Sequence, residues 1–344
     1  MTRRVAAIGE GSYAVEGVYI LASGTVVGDK EAQGPLGHYF DVTWSPSGSS
    51  RSFEREEREL LQRSQEIALA KARLDWPAVE LVLGGDLLDQ LVTTSFVGRA
   101  HGRPLLGMFA ACATFTEALA VGSLLVAGGG PAVVLASAVS HHYAAERQFR
   151  YPVELGNQRY PTSSWTATAA GSSVLASAPG PIAVEAVTIG RVVDYGQKDP
   201  NDYGSAMAPA AVDTIHRHLR ALGRTVEDYD AIFTGDLGEF GRRLALKLAQ
   251  EELGEDWRAR LDDCGRVLYD LQRQDVHNGA SGAGCSAAVF GGYLSHQLTQ
   301  GGWRRLLLAA TGALLSPTTA QQGESIPSIA HAVSLRAERG GEAR

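Results

Sequence analysis

The sequence predicts an α/β protein made of two pseudo-equivalent halves, and three observations support this fold class. The 344 residues, of which 44% are hydrophobic and 40 are glycine, are enough for a large, closely packed core. Apolar, strand-like runs alternate with helix-like segments across short breaks, a pattern typical of parallel sheets covered by helices. Two stretches of the first half also recur, in the same order, in the second half.

The recurrence is specific enough to indicate an internal duplication. LVLGGDLLDQ (residues 81–90) resembles AIFTGDLGEF (231–240) in a strand, a glycine and an Asp-Leu pair. The stretch 111–138 resembles 282–311 in a small-residue turn, a helix, a Gly-Gly break and a strand. Because the period is close to half the chain, a duplicated domain is favoured over a solenoid, whose repeats are only ~20–50 residues long.

The Pro-Gly-Pro sequence at 179–181 is the clearest boundary in the chain. It divides the protein into a predicted N-terminal half, residues 1–180, and a C-terminal half, residues 181–344. The predicted elements of the first half are short edge strands (5–27), an irregular loop (28–40), a polar loop (45–52), a helix (53–74), a strand (79–85), a helix or loop (86–103), a buried strand (104–109), a small-residue helix, a strand ending at Ser140, an aromatic and basic loop (146–160) and two β segments around Gly171 (162–178).

Residues 53–74 have the clearest helical pattern, because their apolar side chains fall on one face. In the second half, Pro209 is expected to open the helix that ends at Leu222, since proline is favoured at the first helical position. The other predicted elements of that half are strands at 182–195, 229–236 and 305–311, a helix at 240–253, and a glycine turn with a small-residue helix at 278–298.

Composition excludes several classes of protein. The net charge of −7 provides no general attraction to nucleic acid. Three cysteines without Cys-x-x-Cys spacing argue against a disulfide framework or a structural zinc site and favour a reducing compartment. The N-terminus reaches Glu10 before a signal-type apolar region is complete, and glycines at 128–130 divide the uncharged stretch 118–145. We therefore expect a soluble chain without a signal peptide, made in the cytoplasm.

Cys112 is the first candidate for a functional side chain. It follows the predicted strand 104–109 and precedes the small-residue helix, so it lies at a helix N-terminus. The helix dipole and free backbone N–H groups at such a position favour the thiolate, which makes Cys112 a candidate nucleophile. The alternative is that Cys112 is a small core residue, since free cysteine is among the most buried residue types.

Distinctive stretches are spread over nearly the whole chain: SGTVVGDKEAQGPLGHYFD (23–41), GGDLLDQLVTTSFVGR (84–99), MFAACAT (108–114), AERQFRYP (145–152), GSAMAPAAVDTI (204–215), TGDLG (234–238), ATGALLSP (310–317) and QQGESIPSIAHAV (321–333). With the cysteine turn and the glycine-rich turn of the second half, they resemble the stage V sporulation protein AD family of spore-forming bacteria. That resemblance implies a thiolase-like fold, with two pseudo-equivalent layered α-β-α-β-α halves and mixed, mostly parallel sheets.

The resemblance also implies a function. It implies binding of dipicolinic acid (pyridine-2,6-dicarboxylate) and a role in its uptake, with calcium as a possible counter-ion, into the developing spore, and hence in germination. It implies work alongside stage V sporulation membrane proteins of the same operon, peripherally at the spore inner membrane. A homodimer that pairs through the sheet edge of the first half is expected from the thiolase-like fold, and no cofactor is expected.

Whether the protein is an enzyme stays open from the sequence. In an acyltransferase or ketoacyl synthase-like enzyme, Cys112 would carry the acyl group as a thioester. However, Asp236 stands where a ketoacyl synthase III places its histidine, and an ionised carboxylate cannot donate a hydrogen bond to an enolate. The sequence His277-Asn278-Gly279 resembles the Asn-Gly of condensing enzymes, but the thiolase-type Cys-x-Gly-Gly is missing from residues 309–314. Binding without chemistry is therefore the favoured interpretation.

A pocket for a flat aromatic dianion needs backbone N–H groups at helix N-termini, a few donors and an apolar slot. The predicted ligand-binding residues are Cys112, Asp86, Ser140, His141, Asn278 and Ser281, and no metal site is predicted. Asp86 either orients donors or meets calcium, or it caps the following helix; the same cap is an alternative for Asp236. Arg147, Arg150 and Tyr151 contact a carboxylate or a partner, or form a surface loop held by ion pairs.

Overall fold

The computed structural model describes residues 4–45, 52–149 and 159–338. The strands in these ranges are β1 (Val5–Gly9), β2 (Ser12–Val15), β3 (Tyr19–Val27), β4 (Val42–Thr43), β5 (Leu81–Gly85), β6 (Leu105–Gly107), β7 (Val133–Ser140), β8 (Trp165–Thr166), β9 (Ala169–Ala176), β10 (Ile182–Thr188), β11 (Ala231–Thr234), β12 (Leu261–Asp263), β13 (Ala280–Ser281), β14 (Arg305–Ala313) and β15 (Ser328–Ala337).

The helices alternate with these strands along the chain. They are α1 (Asp29–Ala32), α2 (Phe53–Ala72), α3 (Val92–His101), α4 (Thr114–Ala127), α5 (His142–Phe149), α6 (Tyr203–Leu222), α7 (Gly238–Leu248), α8 (Cys264–Leu268), α9 (Ala283–Val289), α10 (Ser295–Thr299) and α11 (Pro317–Gln321). Short π-helical turns, Ala249–Leu253 and Phe290–Leu294, follow α7 and α9 directly. Among the described helices, none is both long and apolar enough to cross a bilayer.

The sheet topology shows the internal duplication. The first half contributes the strand order β6-β5-β7-β9-β3, and the second half contributes β12-β11-β14-β15-β10. Numbered within its half, each set has the order third, second, fourth, fifth, first, and the fifth strand runs antiparallel to both neighbours. A short antiparallel pairing of β10 with β3 joins the two sets. The strands of the sets lie within residues 19–176 and 182–337, on either side of the Pro-Gly-Pro sequence.

Helices cover these strand sets in layers. Helix α2 packs on β3 and β9 on the outside of the first set, and α6 packs on β14 and β15 on the outside of the second. Helix α4 contacts β7 and β5 as well as β15 and β14, so it lies between the two sets with α9 beside it. The predicted α/β fold class, with two pseudo-equivalent layered halves and mixed sheets, is confirmed.

Local sequence explains where the two longest helices begin and end. The Ser52 side chain caps α2 by accepting a hydrogen bond from the Arg55 N–H, and Arg73 ends it in the left-handed conformation. The prediction that Pro209 opens the second-half helix is wrong. Helix α6 begins at Tyr203, because the Asp202 carboxylate accepts from the Ser205 N–H and caps a turn upstream of the proline.

Other predicted boundaries also differ from the structure. Residues 28–40 include α1 and a 3₁₀ turn, and the predicted loop from 146 begins inside α5. The strand predicted over 182–195 ends at Thr188, and the strand predicted as buried, β6, is an edge strand on which Leu106 is 49% exposed. Gly171 lies within one continuous strand, β9, because it permits close approach to the Ala287 backbone rather than a chain break.

Glycine in β3 allows a similarly close contact in the outer layer. A Cβ at Gly24 would lie 2.3 Å from the Ser64 carbonyl oxygen of α2. Gly24→Ala is therefore expected to lower the free energy of unfolding by about 1–3 kcal/mol, because the helix must move away. Urea denaturation followed by circular dichroism measures this loss.

The matched control is Gly122→Ala in α4, where a new Cβ would meet only side-chain carbons, at 3.1–3.3 Å. Alanine's better helix propensity offsets this crowding, so we expect a change within about 1 kcal/mol. Equal losses for the two variants would contradict the importance of backbone contact at Gly24.

Candidate functional site

Cys112 lies in a tight turn between β6 and α4. Ala111, the preceding residue, has φ +50°, a conformation that non-glycine residues rarely adopt. The Thr114 side chain fixes the turn, because its hydroxyl donates to the Ala111 carbonyl at 2.7 Å and accepts from the Ala110 N–H at 3.1 Å. The turn therefore holds the thiol in one position at the end of the first strand set.

The second half places a matching turn opposite. Ser281 ends β13, Gly282 follows with φ +107°, and α9 begins at Ala283. Residues with a side chain rarely adopt this conformation, which explains why position 282 is a glycine. This turn places the Ser281 hydroxyl oxygen 3.8 Å from the Cys112 sulfur. The two halves therefore meet at a thiol and a hydroxyl.

Asp236 lies behind this pair and is buried. Its Oδ2 accepts hydrogen bonds from the Ser281 hydroxyl at 3.1 Å and the Gly282 N–H at 3.0 Å, and its Oδ1 accepts from the Thr311 hydroxyl at 3.2 Å. Burial and the nearby Asp263 carboxylate together raise the pKa of Asp236 to about 7, against the lowering effect of these hydrogen bonds. The carboxyl group thus changes charge near neutral pH.

Asp263 holds the backbone on both sides of Asp236 in place. Its carboxylate accepts from the Leu237 and Gly238 N–H groups and from the Thr234 hydroxyl, and it also caps α8 at the Arg266 N–H. This single side chain therefore fixes the end of β11 and the start of α7. Burial raises the pKa of Asp263 to about 6.

The thiol of Cys112 has the opposite character to that predicted from its helix position. Burial raises its pKa well above the ordinary value, and the charge of the neighbouring Asp236 raises it further. Both effects oppose the thiolate that the helix N-terminus is expected to favour. The helix dipole is outweighed by loss of water and by a carboxylate that the sequence alone did not place beside the sulfur.

A cavity opens in front of Cys112 and Ser281. Its empty space is about 560 Å³ when the open solvent at its mouth is included, and about 50 Å³ of it is enclosed room for water-sized groups. Its apolar walls are Leu87, Phe109, Ala111, Ala145, Phe149, Met207, Ala313 and Leu315. Its polar lining residues are Cys112, Glu146, Thr166, Tyr203 and Ser281. The cavity therefore combines an apolar slot with hydroxyl and thiol groups where the two halves meet.

The predicted ligand-binding residues fall into two groups. Cys112 and Ser281 line this cavity, whereas Asp86, Ser140, His141 and Asn278 are not among its lining residues. Asp86 is buried and accepts from the Thr94 hydroxyl and N–H and from the Leu88 N–H, so it caps the segment that leads into α3. The contacts of Asp86 are thus those expected of a helix cap. Contact of these four residues with a ligand stays a prediction.

The other three side chains support the cavity indirectly. The Ser140 hydroxyl accepts from the Gly284 N–H and donates to the Ala167 carbonyl, so it orients the first turn of α9. His141 is buried, its ring nitrogen lies 3.2 Å from a Glu56 oxygen, and burial lowers its pKa to about 4. The Asn278 amide accepts from the Phe240 N–H and donates to the Leu237 carbonyl at the start of α7.

Several lining residues were not singled out from the sequence. Glu146 and Phe149 were assigned to a loop, whereas they lie on α5. Thr166, Met207 and Tyr203 carry no sequence signal that separates them from ordinary core residues. Of the predicted basic loop, Arg147 forms an ion pair with Glu54, and Arg150 and Tyr151 lie outside the described residues.

Metal ligation has no candidate in the described ranges. Within residues 4–45, 52–149 and 159–338, no group of three or more His, Cys, Asp or Glu side chains could hold a metal ion. His277, part of the Asn-Gly resemblance, has a ring nitrogen 2.9 Å from the Tyr160 carbonyl and is not among the cavity-lining residues.

Comparisons with known proteins agree with this architecture. Among solved structures, a thiolase of Ascaris suum in complex with coenzyme A has a TM-score of 0.58 at 12% identity, with 94% of this chain and 100% of that chain covered. The 3-oxoacyl-[acyl-carrier-protein] synthase III of Aquifex aeolicus has a TM-score of 0.56 at 12% identity, covering 93% and 100%. Likenesses at this identity show the fold alone.

Sequence comparison is more specific. The curated "Stage V sporulation protein AD" of Bacillus subtilis (strain 168) is 44% identical over 327 residues, which cover 95% of this chain and 96% of that protein. The family model described as Stage V sporulation protein AD (SpoVAD) matches residues 12–336. With the duplicated thiolase-like fold and the Cys112 turn, these matches lead to one conclusion: the chain belongs to the stage V sporulation protein AD family.

Proposed function

We propose that the protein binds dipicolinate in the cavity beside Cys112 and supports its uptake, with calcium, into the developing spore. The observation that carries this proposal is the combination of apolar walls with hydroxyl and thiol groups in one small cavity where the halves meet. Family membership supports the sporulation context. The identity of the ligand is inferred from the sequence resemblance. The cavity lining is compared with the chemistry of dipicolinate.

The lining of the cavity offers contacts that suit an aromatic acid. Phe109, Phe149 and Met207 offer aromatic and thioether contacts to a ring. The Ser281 and Thr166 hydroxyls can donate hydrogen bonds to carboxylate oxygens. An apolar slot with few polar groups is the usual composition of a small-molecule site.

We propose that calcium accompanies the ligand as its counter-ion rather than as a resident cofactor. We also propose that the protein acts peripherally at the spore inner membrane, beside membrane proteins of the same operon. The resemblance supports both points, and a role in germination would follow from the same ligand.

An acyltransferase that carries an acyl group on Cys112 is the second candidate. The observation in its favour is that Cys112 lies at a strand-to-helix turn, lines the cavity and is near Asp236, a group able to take a proton near neutral pH. The raised pKa of the thiol opposes this function, because the thiolate is the reactive form. Binding therefore remains the favoured function.

The sheet edge of the first half supports a proposed homodimer. Strand β6 pairs only with β5 among the described strands, and its far side carries no partner. Leu106 is 49% exposed and Phe109 50% exposed along this edge. An unpaired edge with exposed apolar side chains is suited to pairing with a second chain, and we propose a second copy as the occupant.

Filling the cavity tests the proposed ligand site. Ala313→Phe adds a ring where a small side chain lines the cavity, so dipicolinate affinity is expected to fall at least about tenfold, the effect of about 1.4 kcal/mol. Isothermal titration calorimetry measures the affinity. Ala70→Phe, on the exposed side of α2, is the matched control and should leave it unchanged. Unchanged affinity in Ala313→Phe would remove the ligand from this cavity.

Alkylation of Cys112 separates a binder from an acyl carrier. We expect slow reaction with iodoacetamide at neutral pH and faster reaction in Asp236→Asn, because removing the carboxylate lowers the pKa of the thiol. Mass spectrometry of the Cys112 peptide measures the rate, with buried Cys264 and Cys285 as internal controls. A stable acyl adduct on wild-type Cys112 after incubation with acyl-coenzyme A would instead favour the enzyme.

The dimer is tested at the exposed edge. Leu106→Glu should convert a dimer to a monomer, because it places a charge at an apolar interface. Analytical ultracentrifugation measures the oligomeric state. Val192→Glu changes a residue that is 56% exposed elsewhere on the surface and should leave the dimer intact. A dimer that survives Leu106→Glu places the interface elsewhere.

A further inference from the structure

We propose that the cavity takes up its anionic ligand together with one proton, which Asp236 holds and which turns the Ser281 hydroxyl away from Asp236 and toward the ligand. This inference rests on the proposed function and deepens it. It assigns Asp236, which does not line the cavity, as the residue that sets the charge the site accepts.

The hydrogen bonds of Asp236 decide which groups can face a ligand. An ionised carboxylate is only an acceptor, so the Ser281 and Thr311 hydroxyls both donate to it, at 3.1 and 3.2 Å. Because the Ser281 hydrogen is committed to Asp236, the Ser281 oxygen accepts from the Cys112 thiol, 3.8 Å away. With Asp236 ionised, Ser281 and Cys112 therefore present lone pairs rather than hydrogens to the cavity, which disfavours a ligand carboxylate.

Protonation reverses this arrangement. A neutral Asp236 can carry the proton on Oδ1, where the Thr311 hydroxyl oxygen accepts it, while Oδ2 still accepts from the Gly282 N–H. The Ser281 hydroxyl is then free to donate to a ligand carboxylate, and the Cys112 thiol, 3.8 Å from it, can turn the same way. Protonation of one buried side chain thus changes the polar groups of the cavity from hydrogen-bond acceptors to hydrogen-bond donors.

The charges around the cavity favour the same step. Among the described lining residues there is no lysine, arginine or histidine, and Glu146 is acidic. Asp236 itself is faced by Cys112 on the first-half turn, by Asp263 at the end of β12, and by the buried thiols of Cys264 and Cys285. Among the lining residues that the structure describes, a dianion meets acidic or neutral groups, and protonating Asp236 removes one negative charge nearby. Burial and Asp263 place the pKa of Asp236 at about 7, so this proton is available near neutral pH.

The experiment measures proton uptake directly. Calcium-free pyridine-2,6-dicarboxylate is titrated into the full-length protein by calorimetry, in buffers of different ionisation enthalpy. At about pH 8 we expect uptake of about one proton per ligand, and affinity should fall about tenfold for each pH unit above the pKa of Asp236. In Asp236→Asn the affinity should not change with pH and no proton should be taken up, since the titrating group is gone.

Controls separate this inference from its alternatives. Glu146→Gln removes the acid that lines the cavity and should keep the proton uptake; loss of uptake in that variant would place the proton on Glu146 and overturn the inference. Binding by the wild type without proton uptake would also overturn it while leaving the proposed function intact, whereas no binding at any pH would overturn both. If Asp236→Asn does not fold, infrared difference spectra of the wild type should show a protonated carboxyl band on binding, and absence of that band overturns the inference.

Discussion

The buried carboxyl group of Asp236 is the constraint on which the site depends. A carboxylate loses favourable hydration when it is buried, and it is tolerated only where hydrogen-bond donors replace water. The donors are Ser281, Gly282 and Thr311 of the second half, and the Cys112 thiol of the first half lies 3.8 Å from the Ser281 oxygen. Satisfying this one group therefore fixes how the two turns face each other, and with them the polar lining of the cavity.

Close backbone packing brings the turns within reach of that carboxyl group. A Cβ at Gly312 would lie 2.1 Å from the Ala110 carbonyl oxygen, so β14 lies directly against the Cys112 turn. A Cβ at Gly284 would lie 1.9 Å from the Ala169 carbonyl oxygen, so α9 is equally close to β9. At both positions only glycine permits the contact, and the separation between Cys112 and Ser281 follows from it. The glycine-rich composition is thus tied to the geometry of the site as well as to the density of the core.

The fold was more predictable from the sequence than the site, for a physical reason. Strand and helix periodicity is local, and the duplicated Gly-Asp-Leu and small-residue turns repeat it, so the halves could be recognised without coordinates. Cys112 and Ser281 were predicted because each follows a local turn pattern. Two other features depend on contacts between distant segments. They are the direction that His141 faces after the end of β7, and the position of Glu146 of α5 in the cavity lining. Pro209 is not the first residue of its helix, because the Asp202 cap upstream sets the helix start.

The carboxyl group of Asp236 near the Cys112 thiol limits the chemistry that the site can perform. A condensing enzyme needs a thiolate and a donor for the developing enolate, and a neutral or positive imidazole serves both needs. An acid in that place raises the pKa of the thiol when ionised and donates at most one hydrogen bond when protonated. In either charge state Asp236 therefore weakens nucleophilic chemistry at Cys112. This supports the proposed binding of an anion over the proposed acyltransferase.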